Sequence, residues 1–160
     1  DGACPNSGKK LSENTDEIIE SCRRVSNASQ LPISLSVSVA HDVEKIVSAT
    51  RNIIWLYTIN SVPWSLVFPR LKSPLARFGG GGVSGKVIQD IAWNLAIKLE
   101  NLGVTVSWSS IWEISDLAKM RRLGKAEIVS LGSIWICHPF RIWEIIRQGQ
   151  QFSNRSHLSE

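Results

Sequence analysis

The chain has 160 residues, of which 43% are hydrophobic, and its 18 Lys and Arg against 14 Asp and Glu give a formal net charge of +4. High hydrophobicity with a small net charge excludes an intrinsically disordered chain. No apolar run approaches the roughly 18 to 20 residues that span a bilayer, which excludes a transmembrane protein and a membrane partner. The length predicts one domain over residues 1–160.

The three cysteines and the residues at the start of the chain indicate the cellular compartment of the protein. Cys4, Cys22 and Cys137 cannot form a closed set of disulfides, and no CxxC pair exists, so we expect a reduced, cytoplasmic compartment. Residues 1–5 lack the apolar segment of a signal peptide. Since Met120 is the sole methionine, we expect the chain to be a fragment, an excised domain or a processed product.

In chain order, the first half of the sequence predicts alternating helices and strands after an initial loop. Residues 33–39 alternate apolar side chains with serine, which is the period of a strand. The β-prone residues 53–59 predict a strand buried on both faces. The predicted elements are a loop at 1–12, a helix that starts near 12–16 and ends before 30–32, a strand at 33–39, a helix at 41–50 and a strand at 53–59.

The second half begins with an irregular stretch. Residues 60–85 hold three prolines and the four glycines of residues 79–82, which predicts a long functional loop. Helices and strands alternate again after it. They are a helix at 86–100, a strand at 104–108, a helix at 114–123, a strand at 127–131 and a helix at 139–150.

This alternation is typical of parallel βα units. Four strands in 160 residues give about 40 residues per unit. A closed eight-stranded barrel needs roughly 200 to 250 residues. The pattern therefore predicts an α/β fold that is either a small open sheet or half of a (β/α)8 barrel.

The segment GGGVSG at residues 80–85 matches G-x-G-x-x-G and opens a predicted helix. A dinucleotide site also needs a strand directly before the glycines and an acidic residue about 20 positions later, and the sequence lacks both. Val87 stands where a P-loop needs Ser or Thr for magnesium, which excludes that motif. Successive glycines still let a backbone approach a ligand closely, and helix N-termini favour anions. A phosphate- or nucleotide-binding α/β module therefore stays open as an alternative.

The histidines and the basic residues suggest no further ligand. His41, His138 and His157 have no Cys, His or Asp at metal-ligand spacing around them, so we expect surface or capping histidines and no metal site. Basic residues between positions 119 and 125 indicate a solvated helical face. A nucleic-acid partner would need a denser basic stripe with exposed aromatics, so none is expected.

Five short segments follow one another along nearly the whole chain: CPNSG at 4–8, LPI at 31–33, TINS at 58–61, FGGGGVSG at 78–85 and LGS at 131–133. In this order and spacing they resemble the dihydroorotate dehydrogenase family of FMN-dependent (β/α)8 barrels. The corresponding family segments are the S-C-P-N-x-G active-site loop, the fifth strand, the N-S or N-T that ends the sixth, a G-G-(L/I/V)-S-G stretch, and the G-T or G-S that closes the eighth strand.

The resemblance implies a fold and an activity. The fold is the C-terminal half of a (β/α)8 TIM barrel, with about four βα units and parallel strands. The activity is the oxidation of dihydroorotate to orotate in pyrimidine biosynthesis, with hydride transfer to FMN. The functional segments would be the active-site loop 1–12, the flavin loop 78–85 and the phosphate-end loops 107–113 and 131–134.

The resemblance also implies roles for single residues. Cys4 matches the general base of the soluble class, in which a thiolate takes the proton from C5 of dihydroorotate while hydride leaves C6. A thiol with a pKa of about 8.5 is a usable base once its loop is closed. The matching substrate-binding positions are Asn6, Asn60 and Ser61. The matching cofactor positions are Gly80, Gly81 and Gly82 beside the flavin, and Gly132 and Ser133 at its phosphate.

Three further cofactor positions depart from the family's pattern. Ser36 stands where the family has a lysine that stabilises reduced flavin. Ser109 and Ser110 stand where the family has the Gly-Gly that approaches the phosphate. Added side chains obstruct close backbone approach, although a serine hydroxyl can donate a hydrogen bond. These departures leave a degenerate, non-catalytic half-barrel as an alternative.

A half-barrel also needs a partner. Its terminal strands, near residues 33–39 and 127–131, would present unpaired edges, and its inner face would lack a complement. The expected partners are therefore an N-terminal half-barrel or a second copy of the chain, in addition to a small pyrimidine substrate.

Overall fold

The computed structural model describes residues 15–78 and 80–156. The predicted active-site loop, with Cys4 and Asn6, lies outside the described residues. The helices are α1 (Thr15–Ala28), α2 (Val43–Thr50), α3 (Trp64–Val67), α4 (Gln89–Asn101), α5 (Ile114–Leu123), α6 (Gly132–Cys137) and α7 (Pro139–Ser156). The strands are β1 (Ile33–Val37), β2 (Ile54–Ile59), β3 (Val62–Pro63), β4 (Gly82–Val83), β5 (Val106–Trp108) and β6 (Ile128–Val129).

The order of the strands defines the architecture. Four of them form one parallel sheet in the order β1-β2-β5-β6, and helices lie between consecutive members along the chain. The protein is therefore α/β, in agreement with the predicted parallel βα units, and it is consistent with a partial TIM-barrel-like fold. Among the strands in the described part of the chain, β1 and β6 are the edges of an open sheet rather than neighbours in a closed barrel.

The structure departs from the predicted elements at several points. Residues 60–85 are not irregular throughout, because β3 and β4 pair antiparallel. The six residues of α6 escape sequence analysis because they are too few to show a helical period. The prediction that residues 53–59 are buried on both faces is wrong for Trp55, which is 60% exposed. Trp55 is the extra residue where the pairing of β1 with β2 shifts register, so its side chain leaves the alternation of the strand.

The core lies between one face of this sheet and the helices. The Tyr57 hydroxyl is 2.8 Å from Thr50 Oγ1 of α2, and the rings of Trp108 and Trp93 of α4 pack with centroids 6.1 Å apart. Tyr57 and Trp108 are completely buried, and a polar partner for a buried aromatic offsets the cost of its desolvation. In the described part of the chain, no helix is both long enough and apolar enough to cross a bilayer.

Glu100, in the last turn of α4, joins three elements. Its carboxylate accepts the indole N–H of Trp108 at 2.8 Å and the backbone N–H groups of Lys125 and Ala126 at 2.8 and 3.1 Å. Ala126 has a φ of 44°, a left-handed conformation that is unfavourable for alanine. The carboxylate therefore holds the segment before β6 in place against β5.

We expect Glu100→Ala to lower the free energy of unfolding by about 2 to 3 kcal/mol, because it leaves the buried Trp108 N–H without an acceptor. Glu100→Gln keeps an acceptor oxygen and should lose less. Glu44→Ala is the matched control, since Glu44 forms an exposed ion pair with Lys98 and such pairs contribute little. Urea unfolding followed by tryptophan fluorescence measures all three variants. Equal losses for the two alanine variants would contradict this role of Glu100.

Candidate functional site

The candidate site is the edge of the sheet to which all four parallel strands direct their carboxyl ends. Open α/β sheets and barrels hold their ligands at this edge. Most predicted site residues that the structure describes follow these strand ends. They are Asn60 and Ser61 after β2, Ser109 and Ser110 after β5, and Gly132 and Ser133 shortly after β6.

The predicted substrate pair shapes the turn after β2. Asn60 N–H donates to Val37 O at the end of β1, at 2.8 Å. The Asn60 side-chain oxygen accepts Ser61 N–H at 2.7 Å, a local bond that favours a turn over continued strand. Both residues are thereby fixed beside the carboxyl end of β1.

The β3–β4 hairpin brings the predicted flavin glycines to this turn. Gly82 pairs with Pro63 across the hairpin, and a Cβ on Gly82 would collide with the Ser61 side chain. Gly80 and Gly81 have φ values of 103° and 72°, which glycine adopts without strain. The structure therefore places Ser61 and Gly82, to which the family resemblance gave substrate and flavin roles, in direct contact.

These glycines do not open a helix as expected. Gly82 belongs to β4, and the 3-10 turn Lys86–Ile88 precedes α4. The carbonyl of Gly81 accepts Trp64 N–H at 3.0 Å, and the carbonyl of Gly80 accepts the Ser73 hydroxyl. The glycines thus build a tight hairpin, which removes the physical argument for an anion site at a helix N-terminus.

Ser36 faces a hydroxyl rather than a flavin-stabilising cation. Its Oγ lies 2.7 Å from Thr58 Oγ1 on β2. The register pairs Ser36 with Thr58 and Thr58 with Ser107, so these three side chains share one face of the sheet. That face is the one opposite Tyr57 and Trp108. Its polar row contrasts with the branched apolar residues that usually fill a barrel.

The loop after β5 turns its carbonyl groups toward α4. Trp93 Nε1 donates to Ser109 O at 3.0 Å, and Gln89 Nε2 donates to Ser110 O at 2.8 Å. In a trans peptide the N–H points opposite to the carbonyl. The N–H groups of Ser110 and Ile111 are therefore directed away from α4. Ser110 keeps a glycine-like backbone, with a φ of 61°.

Asp116 fixes the remainder of this loop. Its buried Oδ2 accepts Gln89 Nε2 at 3.0 Å and the backbone N–H groups of Trp112 and Glu113 at 2.9 and 3.0 Å. Glu113 also pairs with Lys86 at 2.6 Å, and each charge shifts the pKa of the other in the direction that keeps both ionised. Neither Gln89 nor Asp116 is among the predicted site residues. The available signal for Asp116 was its place as the third residue of a predicted helix, where an acidic side chain often takes part in capping the helix N-terminus.

The second predicted phosphate-end loop lies one strand farther along the sheet. Ser130 N–H donates to Trp108 O at 2.7 Å, which ties the end of β6 to β5. Gly132 and Ser133 then form the first turn of α6. A Cβ on Gly132 would meet nothing within 4 Å. The segments 107–113 and 131–134 therefore leave neighbouring strands at the same edge.

His41 differs from the expected surface or capping histidine. It is 7% exposed, and burial lowers its pKa. Its neighbour Asp42 is the residue that caps α2, through a bond from Lys45 N–H at 3.1 Å. The described residues contain no group of three or more His, Cys, Asp or Glu side chains that could hold a metal ion.

We expect Gly82→Ala to lower the free energy of unfolding by about 1 to 3 kcal/mol, because the added methyl group forces the hairpin and Ser61 apart. Gly132→Ala is the control, since a Cβ there meets open space and alanine favours a helix. Thermal unfolding of both variants tests this packing. A Gly82→Ala variant as stable as the original chain would show that the hairpin does not pack on Ser61.

No protein-family model matches the chain. It is 27% identical over 148 residues to the catalytic subunit of dihydroorotate dehydrogenase B (NAD(+)) from Saccharolobus solfataricus. This match covers 90% of the chain, whereas the chain spans 50% of that relative's length. The comparison supports a distant, dihydroorotate dehydrogenase-like relationship.

Proposed function

We propose that this chain supplies the substrate end and the phosphate end of a flavin-dependent oxidoreductase that converts dihydroorotate to orotate. The observation that carries this proposal is the contact of Ser61 with Gly82 beside the carboxyl ends of the parallel strands. Distant identity over 90% of the chain to a dihydroorotate dehydrogenase B catalytic subunit supports the same reaction.

Asn60 and Ser61 are suited to a pyrimidine substrate. Dihydroorotate carries carbonyl, amide and carboxylate groups, which an Asn amide and a Ser hydroxyl recognise by hydrogen bonds. The turn after β2 is held by two bonds of 2.7 and 2.8 Å, so these side chains need little ordering when substrate binds. Asn6 would complete the set from residues 1–12.

The β5 loop fits the phosphate of FMN. The N–H groups of Ser110 and Ile111 point away from α4 because Trp93 and Gln89 hold the preceding carbonyl groups. Backbone N–H groups presented in this way bind anions. Gly132 and Ser133 would contribute from the neighbouring strand end, and Gly80, Gly81 and Gly82 would lie beside the flavin ring. When bound, FMN supplies the acceptor for the hydride from C6.

Cys4 would supply the base. As a thiolate it would accept the proton from C5 of dihydroorotate on Sγ. The C5–H electron pair would form the C5–C6 double bond as hydride departs from C6, which balances the oxidation to orotate. We place this chemistry in a reduced, cytoplasmic compartment, where Cys22 and Cys137 would stay free thiols.

One observation favours the degenerate, non-catalytic half-barrel as a second candidate. The hydroxyl of Ser36 is occupied by Thr58 at 2.7 Å, so a neutral pair stands where the resemblance implies a lysine. A neutral pair offers no charge to stabilise an anionic reduced ring. Loss of flavin binding, rather than weakened binding, would favour this second candidate.

The proposed enzyme needs a complement, either an N-terminal half-barrel or a second copy of the chain. In the described sheet, β1 and β6 are edge strands. Large apolar side chains are exposed on α6 and α7, beyond what isolated surface residues require. They are Trp135 (60%), Ile136 (83%), Phe140 (88%) and Trp143 (63%). A partner that pairs with the edges would also cover apolar surface.

We expect Ser110→Gly to bind FMN several-fold more tightly than the original chain. The substitution removes a Cβ at the phosphate end. It also removes the strain of the left-handed backbone at Ser110, a conformation that costs a serine about 1 kcal/mol or more. Ser29→Gly, between α1 and β1 at the opposite edge of the sheet, is the control. The flavin absorption that each chain retains after gel filtration measures binding, with and without an N-terminal half-barrel of a soluble dihydroorotate dehydrogenase. Colourless protein under every condition would overturn the assignment of FMN.

We expect Cys4→Ser to keep the flavin absorption of this assembly but to lower dihydroorotate oxidation at least tenfold, because a serine hydroxyl is a much weaker base near neutral pH. Cys137→Ser is the matched control, since Cys137 is an exposed thiol on α6. Reduction of the bound flavin by dihydroorotate, followed by absorbance in single-turnover experiments, measures the step. Unchanged rates for Cys4→Ser would remove Cys4 as the base.

A further inference from the structure

His41 is a buried titratable side chain that the proposed chemistry does not use. It lies between the end of β1 and the start of α2 and is 7% exposed. Its Nδ1 accepts the backbone N–H of Ser38 at 3.1 Å, and the backbone N–H of His41 donates to the backbone carbonyl of Ser38 at 3.0 Å. Its Nε2 is buried and has no hydrogen-bond partner among the described residues.

These contacts define the protonation state of the ring. A ring nitrogen that accepts a hydrogen bond carries no proton, so the neutral ring has its proton on Nε2. Protonation of Nδ1 would place its N–H opposite the backbone N–H of Ser38. Two donors repel each other, so the hydrogen bond to Ser38 would be lost. Burial opposes that protonation as well, since it lowers the pKa of His41 below the ordinary value of 6.5.

Ser38 connects this ring to the substrate end of the site. The Ser38 side chain is completely buried, and its Oγ donates to Ser61 O at 3.4 Å. The preceding residue, Val37, accepts Asn60 N–H at 2.8 Å. Continuous hydrogen bonds and one peptide link therefore run from His41 to the two residues that we assign to substrate.

We propose that His41 is a positioning residue, whose neutral ring holds Ser38 and, through Ser38, the turn at Asn60 and Ser61. The four residues Ser38, His41, Asn60 and Ser61 form what we call the β1–β2 latch. The latch is ordered while His41 is unprotonated and opens when the ring takes up a proton. The inference rests on the proposed function only in assigning Asn60 and Ser61 to substrate.

The other charged groups near α2 do not compete with this role. Asp42 accepts Lys45 N–H, and the latch partners of His41 on β1 and β2 are neutral. Two exposed ion pairs join α2 to its neighbours: Lys45 with Asp16 of α1 at 2.8 Å, and Glu44 with Lys98 of α4 at 2.6 Å. The pKa of Lys45 is raised and that of Glu44 is lowered, so both stay charged where a histidine titrates.

The sign of the pH dependence follows from the lowered pKa. The unfolded or opened chain takes up a proton more readily than the latched chain. The latch is therefore at full strength above pH 6.5, the ordinary pKa of histidine, and weakens as the pH falls from 6.5 toward the lower pKa of the folded state.

Two variants separate the acceptor atom from the ring. His41→Asn places an amide oxygen where Nδ1 lies but cannot titrate, whereas His41→Gln places its amide nearer to Nε2. Amide hydrogen exchange of the full chain, observed by NMR, reports the latch at Ser38 and Asn60 without flavin or substrate. Protection factors, which divide out the intrinsic pH dependence of exchange, are compared at pH 7 and pH 5. The N–H of Gly124, bonded to Met120 O at 2.9 Å in α5, is the reference.

We expect His41→Gln to lower protection at Ser38 and Asn60 at least tenfold at pH 7, with Gly124 unchanged. His41→Asn should stay within about threefold of the original chain at pH 7 and show no loss at pH 5. The original chain should lose protection at the latch on going to pH 5. Equal protection in the two variants, or the same loss at pH 5 in His41→Asn as in the original chain, would overturn the proposal.

A second readout separates this inference from the proposed function. Orotate is titrated into the flavin-loaded assembly at pH 7 and pH 5, and binding should weaken more at pH 5 for the original chain than for His41→Asn. If orotate does not bind at any pH while latch protection follows His41, the proposed function fails and the latch stands. If orotate binds and protection ignores His41, the latch fails and the function stands.

Discussion

The common direction of four strands is the constraint on which the rest of this structure depends. Since β1, β2, β5 and β6 run parallel, every loop that leaves a carboxyl end emerges at the same edge. Residues as far apart in sequence as Asn60, Ser110 and Gly132 are gathered at this edge. Glu100 stabilises this arrangement, because its carboxylate binds the backbone N–H groups of Lys125 and Ala126 just before β6 begins. Substitutions at the edge can therefore alter ligand chemistry while the sheet keeps its order.

Much of the fold could be predicted because its signals are local. Alternating serines mark β1, and apolar spacing marks α4 and α5, whose observed ranges agree with the prediction to within a few residues. The β3–β4 hairpin could not be read, because two-residue strands have no period and the pairing of Pro63 with Gly82 depends on distant sequence. Trp55 was misjudged because a bulge breaks the alternation that sequence analysis assumes.

The candidate site likewise contains some residues that the sequence predicts and others that only the structure reveals. Asn60, Ser61 and Gly82 were predicted from the resemblance of their segments to a family, and the structure adds the contact that joins two of them. The roles of Ser38 and Gln89 could not be predicted, since they consist of hydrogen bonds to residues more than 20 positions away. The role of His41 could not be predicted either, since no sequence pattern marks its burial or its bond to Ser38. Cys4 and Asn6 lie outside the described residues, and the functional roles of all the predicted site residues stay predictions. A site built from side chains can be inferred from motifs, whereas the bonds that position it require coordinates.

If the proposed partner covers the edge strands β1 and β6 and the apolar side chains exposed on α6 and α7, the folding of this chain would depend on the concentration of that partner. A partner that binds only the folded form adds stability by mass action, at about 1.4 kcal/mol for each tenfold rise in free partner above its dissociation constant. A fall in the concentration of the proposed partner would then expose the chain to proteolysis as well as reduce the proposed assembly. Chains without a partner would be less stable than assembled chains and would be degraded first, so the amount of chain would follow the amount of partner.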